Sequence, residues 1–138
     1  MAEEHHFASV WDPLRKKQVP LTPEERVRQW CIKVLLETFK VPAHMMMSEV
    51  SFKFGDKQYR ADILVYGRDL KPLLVVECKR PEVKIDELVI DQVIRYNMAL
   101  DVSFLMVTNG LSTYFFAREG EEFKSLDAPL SYEEMLNL

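Results

Sequence analysis

From Thr22 onward the apolar positions follow a helical period. Val27, Trp30, Cys31, Val34, Leu35 and Thr38 recur at three- and four-residue spacing, and Ile32, Leu36 and Phe39 widen the stripe. Thr22 stands where an N-cap belongs, Pro23 suits the first helical position, and Glu25 completes a Thr-x-x-Glu capping box. Pro42 ends this helix. The period then changes to two. Val50, Phe52 and Phe54 alternate with Glu49, Ser51 and Lys53, and Gly55-Asp56-Lys57 makes a turn. Tyr59 to Tyr66 is a second strand, Gly67 to Pro72 turns again, and Leu73 to Lys79 is a third; the close turns predict an antiparallel meander. Pro81 stops it. A second helix is expected over Ile85 to Leu100, apolar at Leu88, Val89, Val93 and Tyr96. Val102 to Thr108 reads as a fourth strand, Asn109-Gly110 as a turn and Ser112 to Ala117 as a fifth strand, and Ser131-x-x-Glu134 caps a short last helix. Residues 1–21 show no periodicity and read as an arm laid over a single domain of residues 22–138. The predicted class is α/β, a mixed sheet flanked by helices in the order α-β-β-β-α-β-β-α.

Composition changes this picture little. The chain has 138 residues, 48% hydrophobic and 29% charged, as in an ordinary soluble domain with a real core. No apolar run approaches the ~20 residues of a membrane span, and the polar start MAEEHHF is unlike a signal peptide. Cys31 and Cys78 form no CxxC and read as buried reduced thiols, which points to the cytoplasm. His5, His6 and His44 have no HxxxH or HExxH spacing, so no zinc site is expected. The net charge of −4 argues against a protein that simply coats nucleic acid. The charge is uneven, however. Residues 53–84 carry eight bases and five acids, whereas residues 119–134 carry six acids and Lys124 alone.

The basic excess surrounds the stretch LLVVECKRP, where Leu73, Val75, Glu77 and Lys79 share one strand face. Asp62 lies mid-strand among Ala61, Ile63, Leu64 and Val65, where a carboxylate costs several kcal/mol unless paired or metal-bound. If the two strands pair through the Gly67–Pro72 turn, Asp62 and Glu77 become neighbours. Two carboxylates that close repel unless one is protonated or a cation lies between them. Mg²⁺ or Mn²⁺ fits, because such ions take one or two carboxylates and keep several waters. Lys79 would then position a water or stabilise negative charge on a phosphate. The competing reading is a salt bridge among Asp62, Glu77 and Lys79 at a strand end.

Asp62…Glu77-Cys78-Lys79 resembles the PD-(D/E)xK nuclease motif, with Ala61 where the Pro would stand. More narrowly, TPEERVRQW, YRADILVY, LLVVECKRP and DQVIRYNMAL resemble the N-terminal domain of type I restriction enzyme R subunits, from about Val19 to Phe116. The resemblance implies a restriction-endonuclease-like sheet and a Mg²⁺-dependent DNA endonuclease, with Asp62 and Glu77 as metal ligands and Lys79 orienting water or stabilising charge. It also implies a Gln-x-x-x-Tyr motif, matched by Gln92 and Tyr96, and an acid at the start of the first helix. Gln92 and Tyr96 share a helix face that Leu88 and Val89 place toward the core, so a buried Gln92 amide is expected, with a site carboxylate or a DNA phosphate as its partner. Glu24 points along the core stripe and Glu25 sits in the capping box, so both stay open for that acid. Arg28 falls near the stripe, with cap, salt bridge and phosphate contact as its open roles.

R subunits of that kind carry a helicase motor, and this sequence has no GxxxxGK[ST] loop. DNA is the implied substrate, and a separate motor or specificity subunit the implied partner. The rival class is a non-catalytic DNA- or protein-binding module that retains the fold.

Overall fold

The computed structural model describes residues 7–138; His5 and His6 lie outside the described residues. The chain opens on a hairpin of β1 (Ser9–Asp12) and β2 (Lys17–Pro20), antiparallel, with Val10 opposite Val19. This corrects the expectation of an aperiodic arm over those residues. Its strands of four residues are too short to announce a period. The turn holds them: the Asp12 carboxylate accepts the N–H groups of Leu14 and Arg15, and Lys16 takes a left-handed φ of 54°.

Helix α1 (Pro23–Glu37) starts where the sequence places it, with Thr22 Oγ1 accepting the Glu25 N–H at 3.1 Å. It buries Val27, Cys31, Ile32 and Leu35, while Trp30 is 42% exposed and lies outside the stripe. A 3₁₀ turn, Ala43–Met45, follows. The meander is then β3 (Met46–Phe54), β4 (Lys57–Tyr66) and β5 (Pro72–Cys78), antiparallel throughout. Helix α2 (Glu87–Asn97), shorter than predicted, is capped by Asp86 and crosses over to β6 (Phe104–Thr108), which runs parallel to β5. Next come β7 (Thr113–Glu119), β8 (Glu122–Leu126) and α3 (Tyr132–Leu136), the last with the full Ser131–Glu134 capping box. β8 adds a strand to the predicted order. It is an exposed edge with polar side chains, so no buried face marked it.

The main sheet has six strands in the order β3-β4-β5-β6-β7-β8. Val27, Cys31, Ile32 and Leu35 of α1, with Tyr132 and Met135 of α3, cover one face over Ile63, Val65, Leu74, Val76 and Met106. α2 covers the other face, packing Val93 with Tyr59, Ala61, Leu64, Val75, Leu105 and Val107. Leu88 was expected inside but is 67% exposed; Val89, Ile90, Val93 and Tyr96 carry the inner face. Among the described residues, no helix is long and apolar enough to cross a membrane.

Candidate active site

The β4–β5 ladder ends at Ile63 opposite Val76, and one more step sets Asp62 against Glu77. Here the strands stop exchanging backbone bonds and the Asp62 side chain replaces them. Its Oδ2 accepts the Cys78 N–H at 2.7 Å, and its Oδ1 accepts Arg28 Nη2 of α1 at 3.0 Å. On the other side of β4, Glu49 stands opposite Asp62, between the pairs Ser48–Ile63 and Val50–Ala61. Glu49 has a left-handed φ of 49°, a costly conformation for a non-glycine residue within a strand. Face alternation slips at this pair. Val50, Tyr59 and Ala61 lie with Leu64 on the α2 side, whereas Ile63 and Val65 lie on the α1 side. Beyond β5, the Lys79 N–H donates to Thr108 O at 2.8 Å and carries the parallel pairing past the strand end. The site therefore sits at the carboxyl ends of the parallel pair β5 and β6, where open α/β sheets bind ligands.

A cavity of about 500 Å³ opens at this point. Asp62, Glu77 and Lys79 line it, joined by Glu24, Glu49 and Gln92, with Arg60 and Arg80 also contributing. The two helix acids part company. Glu24 lines the cavity and lies 3.3 Å from Arg28, whereas Glu25 is buried outside it and accepts Arg28 Nη1 at 2.8 Å and Gln29 Nε2 at 3.2 Å. Only the Thr22 half of the predicted capping box forms, since the Glu25 carboxylate is engaged by arginines and Gln29. Arg28 is buried and ion-paired to Glu24, Glu25, Glu49 and Asp62. Gln92 is exposed on the cavity wall, so the expectation of a buried amide in need of partners does not hold. Tyr96 is half-buried; its hydroxyl accepts the Arg60 N–H at 3.0 Å and its ring meets Tyr59 edge-on at 5.4 Å.

Sequence reasoning missed Glu49 and Arg15. Alternation with Val50 and Phe52 assigned Glu49 to the outer face, and no sequence signal announces the backbone slip that turns it inward. Arg15 sat in a stretch without periodicity. It contacts Asp12, Glu25 and Glu49.

The electrostatics follow from this crowding. Burial pushes the Glu77 carboxyl up to about 8, and the Asp62 charge and a hydrogen bond between the two carboxyl groups push the same way, against the pull of Lys79. At neutral pH Glu77 thus favours its protonated form. Burial opposes the charge on Arg28, yet the bond to Asp62 and the fields of Asp62, Glu25 and Glu49 raise its pKa overall. Among the described residues no group of three or more His, Cys, Asp and Glu side chains is placed to hold a metal ion. Any cation here would have the carboxylates of Asp62 and Glu77 as its protein ligands. That donor set suits Mg²⁺ or Mn²⁺, which retain waters, better than zinc, which takes nitrogen and sulfur.

A pH dependence follows. An acid whose folded pKa lies above its unfolded value leaves stability untouched while both states are protonated. It lowers stability as pH rises from about 4.5 towards about 8, and the full penalty persists above that. In chelator, the stability gap between Glu77→Gln and wild type is therefore expected to open across this window. By pH 8.5 it should favour the variant by on the order of 3 kcal/mol, at 1.36 kcal/mol per pKa unit with allowance for partial exposure. Urea melts at pH 4.5, 6.5 and 8.5 measure it; a gap independent of pH contradicts the upward shift of Glu77.

A profile described as the type I restriction enzyme R protein N terminus matches residues 23–128. Among solved structures, a crystal structure from Anabaena variabilis, titled as a candidate nuclease of the DUF820 group, is similar with a TM-score of 0.52. The two chains are 14% identical over 99% of this chain and 93% of that one, a likeness of fold. No protein with a curated description matches.

Proposed function

This chain belongs to the family of type I restriction enzyme R protein N termini, and on that premise we propose that it is a metal-dependent DNA endonuclease. The observation that carries the reading is the placement of Asp62 and Glu77 side by side in one cavity with Lys79, at the carboxyl ends of β5 and β6. Asp62 and Glu77 would hold Mg²⁺ or Mn²⁺. Such an ion, when bound, supplies Lewis acidity at a phosphoryl oxygen and a more acidic water.

The rest is the work of the chain itself. Arg28 and the Cys78 N–H fix the two oxygens of Asp62, so the carboxylate cannot rotate away from Glu77. Lys79, delivered rigidly by the strand end, orients the attacking water or stabilises charge on the phosphate. Glu24 is the helix acid of the site and Gln92 stands ready on the wall to position substrate. Tyr96 holds that wall by its bond to the Arg60 backbone. Glu24, Glu49, Asp62 and Glu77 line the cavity together with Lys79, Arg60 and Arg80, so it offers acids to a cation and bases to a phosphate, which favours a nuclease over a module that only binds DNA. DNA is the proposed substrate and a motor or specificity subunit the proposed partner. The free, buried Cys31 and Cys78 suit the reducing cytoplasm.

Incubating the protein with supercoiled plasmid and Mg²⁺ or Mn²⁺ is expected to yield nicked and linear DNA, and chelator to prevent it. Intact plasmid and intact single-stranded DNA with both ions would overturn the proposal, and retention of DNA without cleavage would favour the binding module.

A further inference from the structure

The N-terminal hairpin lies outside residues 23–128, the part matched by the family, yet it reaches the site. Asp12 is fully buried in it, an expensive place for a carboxylate in a two-stranded ribbon. Its partners explain the burial. Asp12 accepts the N–H groups of Leu14 and Arg15 and also Arg15 Nε. That grip leaves the other nitrogens of the Arg15 guanidinium to reach out of the hairpin. Nη2 donates to Glu25 Oε1, and Nη1 lies 3.3 Å from Glu49 Oε2.

The same two glutamates face Arg28. Glu25 Oε1 accepts from both arginines, whereas Glu49 gives Oε2 to Arg15 and Oε1 to Arg28 Nη2 at 3.2 Å. Arg28 Nη2 is the nitrogen that holds Asp62 Oδ1 at 3.0 Å, and Glu24 also draws on it at 3.3 Å. Without Arg15, Glu25 would keep only Gln29 and Glu49 only the distant Arg60 besides Arg28, so both would draw harder on Arg28 and pull Nη2 away from Asp62. We infer that Arg15, presented by the hairpin, is a positioning residue for Asp62, acting through Glu25, Glu49 and Arg28. The hairpin is then part of the active site and not a cover for the domain.

The inference rests on the proposed nuclease reading for its effect on cleavage, but the geometric relay can be read without activity. The Cys78 amide donates to Asp62 Oδ2 at 2.7 Å, so its proton resonance reports the Asp62 carboxylate directly. In metal-free protein, Arg15→Gln is expected to move the Cys78 amide proton upfield while amides of β7 and β8 stay in place. Arg15→Lys keeps the charge and the Asp12 partner but cannot span Asp12, Glu25 and Glu49 together. It guards against a misfolded Gln variant and is expected to give a smaller shift in the same direction. With Mg²⁺ and plasmid, Arg15→Gln should lower kcat about tenfold with KM for DNA unchanged, the signature of a displaced catalytic group. A Cys78 amide that stays unmoved in a folded Arg15→Gln or Arg15→Lys protein would overturn the relay whether or not wild type cleaves DNA. Absence of cleavage by wild type, with the amide shifted, would overturn the nuclease reading and leave the relay supported.

Discussion

Glu77→Gln is expected to lose DNA cleavage by about a thousandfold or more while gaining stability. The two effects share one cause. Glu77 lies beside Asp62 in the cavity, and its carboxyl titrates near pH 8 because burial disfavours its charge and the Asp62 charge adds to that repulsion. An amide of the same shape removes that repulsion and keeps a hydrogen bond to Asp62. In chelator at pH 8.5 the variant should melt about 10 °C higher, given roughly 3–5 °C per kcal/mol for a domain of this size. It loses one of the two carboxylates proposed to hold the ion, and removing one preorganised electrostatic group in an active site already costs about 10²–10³ in rate. Lys79→Ala should lose cleavage comparably without the gain in stability. Gel assays of plasmid cleavage beside thermal melts measure both quantities. A Glu77→Gln protein that cleaves like wild type would remove Glu77 from the chemistry.

Arg28→Met is expected to destabilise the fold by about 3–5 kcal/mol, the cost of breaking a buried ion pair from one side. The Arg28 side chain is 5% exposed and faces Glu24, Glu25, Glu49 and Asp62 within 3.3 Å. Methionine fills much of the volume, so the loss is electrostatic. Glu25, buried at 6% side-chain exposure, would retain Arg15 and Gln29, and Asp62 would retain the Cys78 N–H. The remaining negative charge in the cluster would have Arg15 and, at the edge, Arg60 against it. Raising salt or lowering pH should recover part of the loss, since protonating the acids relieves it. Urea denaturation at pH 7 checks the magnitude; a cost below 1 kcal/mol would mean the acids find other partners and Arg28 is not their hub.

Much of the fold was legible because its signals are local. The α1 start is written in Thr22-Pro23, the meander in Gly55-Asp56 and the Gly67–Pro72 turn, and the last helix in Ser131 and Glu134. The hairpin and β8 escaped because neither presents a long apolar face, and hydrophobic period is the main signal a sequence carries. Trp30 and Leu88 show the converse error, since apolar residues at helical spacing were taken as inward although they widen the stripe past what the sheet covers. In the site, the closeness of Asp62 and Glu77 follows from strand register, which two turns define. The choice between Glu24 and Glu25 turns on about 100° of helix phase and on Arg15, ten residues upstream of Glu25, which no local rule connects. Glu49 was hidden because regular alternation was assumed at the place where the strand departs from it.

A divalent cation held by Asp62 and Glu77 must displace the proton that burial and the Asp62 charge keep on Glu77. Calorimetric titration of Mn²⁺ into the protein at pH 7, repeated in buffers of different ionisation enthalpy, measures the affinity and the protons released together. Wild type is expected to bind with release of about one proton, since a carboxyl protonated in the free protein must ionise to become a ligand. Glu77→Gln should bind at least about tenfold more weakly and release none. Wild type that binds no Mn²⁺, or that binds it with the same affinity and proton release as Glu77→Gln, would contradict the account.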